Sequence, residues 1–157
     1  MDTPSQTSFE KERGVTGVLV RDGLTLVTCT AVEQRLGVLT ALAKEGIPVF
    51  HLKLHENSFT YIVRTTYAER VLETSTQSNA ATQIETGVAF VSVVAGAMRD
   101  LSGIIARIYD ALVGKGVRIL QTGDAHDSVH CLVRESSIEA AVAALKAEFD
   151  LPAGELS

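Results

Sequence analysis

The sequence predicts an α+β fold made of two related units, in which antiparallel sheets carry helices on one face. Three observations support this class. Residues 90–119 alternate between strand-like and helix-like patterns, an earlier segment of the chain repeats much of that pattern, and one strand-like run near the start of the chain is left over. Together they indicate two copies of one plan that share strands.

Residues 90–119 predict a strand, a turn, a helix and a further strand. The strand covers 90–95 and the helix about 103–114, with Ile105, Ile108 and Leu112 on one face because they recur at spacings of three and four. Ser102 is the predicted N-cap, since its hydroxyl can accept a backbone N–H of the first turn. Glycine tolerates the left-handed geometry of a C-cap, so Gly114 and Gly116 are expected to end the helix.

The repeat appears when residues 40–64 are placed on residues 110–134. The identical pairs are Ala41/Ala111, Leu42/Leu112, Gly46/Gly116, Ser58/Ser128, Val63/Val133 and Arg64/Arg134, and the apolar pattern agrees between them. A duplicated βαββα unit explains this agreement economically. With one more strand, each unit becomes the ferredoxin-like βαββαβ arrangement.

The strand count predicts that the first unit is nested in the second. The first unit is followed by a candidate fourth strand, whereas the second runs out of chain after its last helix, so the N-terminal strand is expected to complete the second unit. The predicted organisation is a flexible tail (1–13), the strand that completes the second unit (14–23), the first unit (24–88) and the second unit (89–151).

In the first unit, a turn at Asp22-Gly23 is expected between strands 14–21 and 24–29. Capping boxes at Thr30/Glu33 and Thr66/Glu69 predict two helix starts. The remaining predicted strands are 49–54, 59–63 and 83–88, and the first helix is expected to bury Val32, Leu36, Leu39 and Ala43.

In the second unit, strand 117–122 is expected to turn at Gly123-Asp124 into strand 128–133. A third capping box, Ser136/Glu139, predicts the last helix. That helix carries Ile138, Val142, Leu145 and Phe149 on one face.

Composition narrows the class of function. The chain has 157 residues, 46% hydrophobic and 21% charged, with a net charge of −5. Its scattered Lys and Arg form no basic stripe for nucleic acid, and only 5% of residues are aromatic, unlike an RNA-recognition domain of the same plan. There is no secretory leader or membrane-length apolar run, and Cys29 and Cys131 are expected to be buried thiols of a cytoplasmic protein.

The turn after strand 90–95 is the first candidate site. Backbone N–H groups at a helix N-terminus can hold a carboxylate, and Asp100 can hold an ammonium, so Met98-Arg99-Asp100 suits an amino acid. The equivalent turn of the first unit is Thr28 to Val32. Strand starts at Val49 and Phe50, and at Arg118 and Ile119, are expected at edges that either meet another subunit or face water.

No catalytic motif or zinc spacing is present. There is no Gly-x-Ser-x-Gly, Walker loop or Rossmann fingerprint. The group formed by Asp124, His126, Asp127 and His130 suggests either acid–base or metal chemistry or, as the preferred interpretation, a solvated turn. We therefore expect no catalytic residue, no metal and no cofactor in this chain.

Residues 91–151, which run VSVVAGAMRDLSGIIARIYDALVGKG and onward, closely resemble the C-terminal ACT domain of aspartokinases, nearest the diaminopimelate-sensitive type of Gram-positive bacteria. Residues 14–30 (GVTGVLVRDGLTLVTCT) resemble the entry to the first ACT domain of that enzyme. The resemblance implies two tandem ACT domains that regulate aspartate kinase, in the pathways to lysine, threonine, methionine and diaminopimelate. The length and the initial Met resemble either a separate β subunit or an excised fragment.

The resemblance also implies a homodimer that binds an end-product amino acid (lysine, threonine or diaminopimelate) between the first ACT domain of one chain and the second of its mate. The expected partner is an aspartokinase catalytic region or α subunit. Carried over by position, the effector-binding residues are Thr28, Thr30, Val32, Val49, Phe50, Met98, Asp100, Ser102, Gly103, Arg118 and Ile119. Two alternatives stay open: an assembly module without an effector, and a small enzyme of the same fold.

Overall fold

The computed structural model describes residues 14–30, 32–78, 80–96 and 101–152, and over these it contains six β-strands and four α-helices. The predicted flexible tail, 1–13, lies outside the described residues. Short 3₁₀ turns precede three of the helices. The elements are β1 Val15–Cys29, α1 Arg35–Lys44, β2 Phe50–Leu54, β3 Phe59–Arg64, α2 Ala68–Gln77, β4 Thr82–Ala95, α3 Leu101–Gly114, β5 Gln121–Ala125, β6 Ser128–Arg134 and α4 Ile138–Glu148.

The chain divides into two compact units. The inner unit is Asp22–Val88, and the outer unit holds the described residues up to Arg21 and from Ala89 onward. The inner sheet contains β2, β3 and the parts of β1 and β4 that fall in this unit, and the outer sheet contains the remaining parts of β1 and β4 with β6 and β5. The antiparallel pairs include β1 with β3, β2 with β3, and β5 with β6. The predicted α+β class, built of ferredoxin-like units, is confirmed.

Two predicted breaks between strands are wrong. Asp22-Gly23 lies inside β1 rather than in a turn, and the predicted strands 83–88 and 90–95 are one continuous strand, β4. Each long strand passes from one unit to the other and carries a glycine with a left-handed backbone close to that point, Gly23 at φ +70° and Gly87 at φ +71°. Glycine allows this local irregularity without ending the strand.

The hairpin of the outer unit also differs from its prediction. Its first strand begins at Gln121 rather than at residue 117, and Gly123 pairs with His130 inside the ladder. The turn is formed by His126 and Asp127. The repeat aligns these two residues with Glu56 and Asn57, which form the bend between β2 and β3 of the inner unit. The duplication therefore locates this turn better than the Gly-Asp pair does.

Two of the predicted capping boxes are wrong, because Thr66 and Ser136 lie inside the 3₁₀ turns that precede α2 and α4 rather than before them. The Thr30/Glu33 box stays a prediction, since residue 31 lies outside the described residues. The residues that begin α1, α2 and α4 are flanked by Gln34, Tyr67 and Ser137, and none of these makes a side-chain cap hydrogen bond. The preceding 3₁₀ turns supply acceptors instead: the Ala68 N–H donates to the Thr65 carbonyl, and the Ile138 N–H to the Glu135 carbonyl. Because i→i+3 bonds satisfy these first N–H groups, the hydroxyls are not needed there. Ser102 is not an N-cap either, since it lies inside α3.

Two predicted helix faces are correct only in part. In α1, Leu39 packs against the inner core as predicted, but the fully buried side chains are Val38 and Leu42, whereas Leu36 is 77% exposed and Ala43 is also exposed. In α3, Ile108 and Leu112 are buried as predicted, but Ile104 packs on the core in place of Ile105. Both helices carry apolar residues at two competing phases, so spacing alone could not choose between them.

Each unit has its own core between its sheet and its two helices. In the outer core, Val91 and Val93 of β4 meet Ile108 of α3 and Leu145 of α4. The predicted buried face of α4 is confirmed, with Val142 and Leu145 fully inside and Ile138 and Phe149 packed at the margin. The inner core holds Val27, Cys29, Val38, Leu42, Ile47, Phe59, Tyr61, Val63 and Val71.

Both cysteines are buried with free thiols, as predicted. Burial raises the pKa of Cys131 to about 11. Within the described part of the chain, no helix combines the length and apolar character that crossing a membrane requires.

Candidate functional site

An open groove runs along the outer unit between α3 and the segment that leads into β5. Its volume is about 590 Å³. From α3 it takes Ser102 and Tyr109, and from the facing segment Ile119. The other lining residues are Ile105, Ala106, Leu120, Gln121 and Thr122. The groove thus combines two residues of the predicted site, Ser102 and Ile119, with six that were not predicted.

An apolar stripe on α3 forms one wall of this groove. Ile105, Tyr109 and Val113 are 36%, 59% and 49% exposed, and their spacing of four places them on one side of the helix. The opposite side of α3 is committed to the core through Ile108 and Leu112. Sequence reasoning assigned Ile105 to the buried side and did not consider Tyr109. Its spacing from Ile105 was the available signal.

A second recess continues the groove toward the end of α3. It measures about 440 Å³ and shares Tyr109 and Ile119 with the first. Arg118 lies here, in the segment before β5 rather than at the start of the strand as predicted. The structure therefore brings Arg118, Ile119 and Ser102 along one continuous surface of the outer unit.

The repeat maps this groove onto the inner unit. The same alignment that pairs Gly46 with Gly116 places Ser102 on Val32, Ile119 on Val49 and Leu120 on Phe50. These three inner residues were predicted from the turn and strand pattern and from the resemblance, and the repeat aligns them with groove-lining positions. Here too the region carries exposed apolar side chains, Leu36 and Leu52.

The end of β1 and the start of β2 pair with different residues of β3, so they lie at different levels along the strand direction of the inner sheet. Thr28 pairs with Thr60 of β3, whereas Phe50 pairs with Ile62. Val49 precedes β2 rather than lying in it. Thr28 and Thr30 are therefore not brought beside Val49 and Phe50 by pairing within this unit.

The edge strand β2 is irregular where the predicted site residues end. The register with β3 shifts between Phe50 and Lys53, and His51 has a positive φ of 51°. A non-glycine residue in this conformation is uncommon and stores strain. The equivalent position of the outer unit is Gln121, whose φ is not positive.

The remaining predicted residues lie in the loop after β1, at the start of α3, or outside the described residues. Met98 and Asp100 lie outside the described residues, and so does the side chain of Val32. Gly103 lies in the first turn of the described part of α3, half-buried. Thr30 is exposed and its backbone N–H donates to the Ala81 carbonyl at 3.1 Å, which ties the loop after β1 to the start of β4.

The part of the groove that Ser102 lines is neutral, and the recess that continues it adds the guanidinium of Arg118. The described lining of the neutral part offers hydroxyls, an amide and apolar surface, and no carboxylate or ammonium. Across the described ranges, His, Cys, Asp and Glu side chains nowhere gather in threes that could hold a metal ion. Such a surface can bind through shape and hydrogen bonds, but it has no acid–base pair for catalysis.

A half-buried histidine, His130, lies away from the groove, on β6. The His130 ring is contacted on both nitrogens, by Ser92 Oγ at 2.7 Å and by Ser128 Oγ at 3.2 Å, and the Phe90 ring meets it edge-on. Burial lowers the pKa of His130, while Asp127 and Asp124 oppose that shift. Of the four residues in the predicted solvated turn, Asp124, His126 and Asp127 are exposed, whereas His130 is half-buried on β6.

Comparison with known proteins gives a family match for the second half of the chain. Residues 83–147 match the model of the ACT domain family. Aspartokinase 1 of Bacillus subtilis is 30% identical over 151 residues, which cover 89% of this chain and 36% of that protein. Aspartokinase of Geobacillus stearothermophilus is 28% identical over 156 residues, 93% of this chain and 38% of that protein. The chain thus spans little more than a third of the length of these relatives.

Solved structures share the fold over most of the chain. A structure of aspartokinase alpha and beta subunits superposes with a TM-score of 0.80 at 22% identity, covering 87% of this chain and 99% of that chain. The ligand-free regulatory subunit of aspartate kinase from Thermus thermophilus gives 0.76 at 19% identity, again over 87% and 99%. Aspartokinase III of E. coli in complex with lysine and aspartate gives 0.68 at 18% identity, over 86% of this chain and 33% of that chain.

The second half of the molecule has the strand and helix order that its family match requires, and the first half repeats it. The curated relatives are aspartokinases, and the solved structures that share the fold are aspartokinases or their regulatory subunits. This chain therefore contains an ACT domain and, over most of its length, resembles the regulatory region of aspartokinases.

Proposed function

We propose that this chain is the feedback-sensing part of an aspartate kinase. In this proposal it binds an end-product amino acid (lysine, threonine or diaminopimelate) where two ACT units of a homodimer meet, and thereby controls phosphorylation of aspartate by a catalytic region or α subunit. The observation that carries the proposal is the groove between α3 and the segment before β5, together with its image in the inner unit.

The surface around the groove supports pairing between chains. Tyr109 and Val113 leave about half of their surface in water, next to β5, a strand at the end of the outer sheet. Contiguous exposed apolar side chains of this kind favour a protein partner, and an outer strand offers unpaired backbone groups to a neighbouring sheet. An amino acid held beside such a seam would be enclosed by both chains.

The relatives support the choice of ligand. Aspartokinase III of E. coli has been solved with lysine and aspartate, and it shares the fold of this chain. In the part of the groove whose described lining is uncharged, a zwitterion would depend on backbone N–H groups for its carboxylate. In the recess that continues it, the guanidinium of Arg118 can pair with that carboxylate.

The neutrality of the part of the groove that Ser102 lines favours one alternative, an assembly module that dimerises without an effector. One measurement distinguishes the feedback sensor from the assembly module. Isothermal titration of the whole chain with lysine, threonine and diaminopimelate in turn is expected to give saturable heat with one of them, while light scattering on a sizing column reports a dimer. A dimer without heat from any of the three supports the assembly module instead.

A variant pair locates the site. Tyr109→Asp places a charge in the proposed seam and is expected to yield monomers and to abolish the heat of binding. Asp110→Asn, at the neighbouring exposed position of α3, is the matched control and should change neither. Wild-type chain that stays monomeric at all concentrations and binds none of the three amino acids would contradict the proposal. To test regulation, the chain is mixed with an aspartate kinase catalytic region, and the rate of aspartate phosphorylation is measured with and without the amino acid.

A further inference from the structure

The two cores are matched in shape but not in polarity. In the alignment of the two units, Tyr61 and Ser75 of the inner unit hold the positions that Cys131 and Leu145 hold in the outer unit. The inner core has a large tyrosine and a small serine where the outer core has a small cysteine and a large leucine, so the total side-chain volume is similar. The exchange nevertheless introduces two hydroxyls into the inner core.

These hydroxyls are poorly satisfied. Tyr61 is completely buried and Ser75 almost so, and neither side-chain oxygen has a hydrogen-bond partner of good geometry. The two groups lie near each other, and burial raises the pKa of Tyr61 strongly while Ser75 opposes the shift. Buried polar groups without partners destabilise the folded state relative to apolar groups of the same shape.

The helix that carries Ser75 is also intrinsically weak at this point. In α2 the residues Thr74, Ser75 and Thr76 stand where α4 has Ala144, Leu145 and Lys146. Thr and Ser are poorer helix formers than Ala, Leu and Lys. The Thr76 hydroxyl also donates to the Leu72 carbonyl at 2.8 Å, a contact that competes with the helical backbone bond.

This weak end of α2 is joined to the loop after β1. The N–H of Ala80 donates to the Ser75 carbonyl at 2.9 Å, and the next residue, Ala81, accepts from the N–H of Thr30 at 3.1 Å. Beside that bond, the thiol of Cys29 lies 3.4 Å from Thr82 Oγ1. Thr30 is therefore connected to Ser75 by these two backbone hydrogen bonds and the short stretch of chain between them.

We infer that the inner unit opens locally at the C-terminal half of α2, much more readily than the outer unit opens at the equivalent part of α4, and that the loop at Thr30 opens with it. The device is built from three observations at one place: two buried hydroxyls that have at best each other as partners, a run of poor helix formers, and a hydrogen-bonded link to the loop. It does not require that an amino acid binds, so it goes beyond the proposed function. It makes the inner unit the part of the molecule whose order a ligand at the loop would control.

Native-state amide hydrogen exchange on the whole chain, read residue by residue by NMR, tests this. The amides of residues 75–78 are expected to exchange about tenfold faster or more than those of residues 145–148. Equal protection in the two helices, or faster exchange in α4, would overturn the inference.

Reciprocal substitutions at equivalent positions sharpen the test. Thr74→Ala should slow exchange of α2 about two- to threefold, because alanine is the better helix former, and should leave α4 unchanged. Ala144→Thr should accelerate α4 by a similar factor and leave α2 unchanged. The Thr30 amide should slow together with α2 in the first variant. A change that spreads equally over both helices in Thr74→Ala indicates global unfolding and refutes local opening, and a Thr30 amide that does not follow α2 refutes the link.

Discussion

Gly46 and Gly116 adopt the same left-handed conformation at the end of the first helix of each unit, with φ of +70° and +74°. Two backbone bonds surround each of them in the same way. The N–H of Gly46 donates to Ala43 and that of Ile47 to Leu42, while the N–H of Gly116 donates to Val113 and that of Val117 to Leu112. This is the Schellman arrangement, in which a residue with positive φ ends the helix and the next apolar residue folds back onto it.

Gly46→Ala and Gly116→Ala are each expected to lower the free energy of unfolding by about 1–2 kcal/mol, since an L-residue resists this conformation. No atom lies within 4 Å of a Cβ added at either position, so the loss of free energy of unfolding comes from backbone strain and not from a steric clash. Urea denaturation gives the value. The matched control is Gly37→Ala in α1, where φ is not positive and space is open, and it should stabilise by up to about 1 kcal/mol. Equal effects at all three positions would contradict this assignment.

Acid should weaken the fold through His130. Because the pKa of His130 is lowered in the folded protein by burial, the unfolded chain takes up this proton more readily. The contribution of His130 to the free energy of unfolding is therefore complete above its pKa in the unfolded chain, about 6.5. It declines as the pH falls through and below that value. The urea midpoint measured from pH 7.5 to 5 should fall further for the wild type than for His130→Gln. Parallel curves for the two proteins would show that His130 titrates normally.

The two thiols should react at different rates in the native protein. Both are buried and burial raises the pKa of each, so alkylation requires opening of the unit that contains the cysteine. We expect Cys29 of the inner unit to be alkylated about tenfold faster than Cys131 or more, because the inner unit opens at lower cost. Peptide mass spectrometry after iodoacetamide treatment measures both rates. In urea the two should react alike, and equal rates in the native protein would argue against a difference between the units.

Arg35 is expected to stabilise the β2–β3 turn. Its Nη2 donates to the carbonyls of His55 at 2.6 Å and Ser58 at 3.1 Å, and its guanidinium lies 5.5 Å from the centre of the Phe59 ring. Arg35→Ala should therefore lower the free energy of unfolding by about 1–2 kcal/mol, toward the lower end because the site is partly exposed. Arg35→Lys should recover only part, since lysine lacks the planar fork. Lys44→Ala, an exposed position of the same helix, serves as control, and an equal loss there would remove the special role of Arg35.

The duplication was the most informative feature of the sequence. Short local motifs, such as Asp-Gly pairs and capping boxes, were the least informative. Aligning the two units identifies matching glycine caps, matching hairpins and matching groove positions such as Ile119 and Val49. By contrast, Asp22-Gly23 resembles a turn but lies inside a strand, because whether a glycine bends or breaks a strand depends on the hydrogen bonds made around it. The capping boxes at Thr66 and Ser136 failed for a similar reason, since the 3₁₀ turns satisfy the same N–H groups without a side chain.

Less of the candidate site was predictable. Tyr109, Gln121 and Thr122 line the groove because α3 packs on the outer sheet with one particular rotation, and that rotation is set by Ile104 and Ile108 together. Spacing alone offered Ile105 equally well. The polar residues Tyr61 and Ser75 were visible in the sequence, but only the structure shows that both are buried in one core.

The interleaving of strands has a consequence for how this polypeptide can be divided. The outer unit draws one strand from the beginning of β1 and another from the end of β4, and the whole inner unit lies between them along the chain. A protease nick or a gene truncation that removes residues 14–21 would take the edge strand from the outer sheet while leaving the inner unit's sequence intact. The outer unit can therefore not be inherited or exchanged as a simple C-terminal cassette, because a segment that begins at Ala89 lacks the strand that the start of β1 contributes.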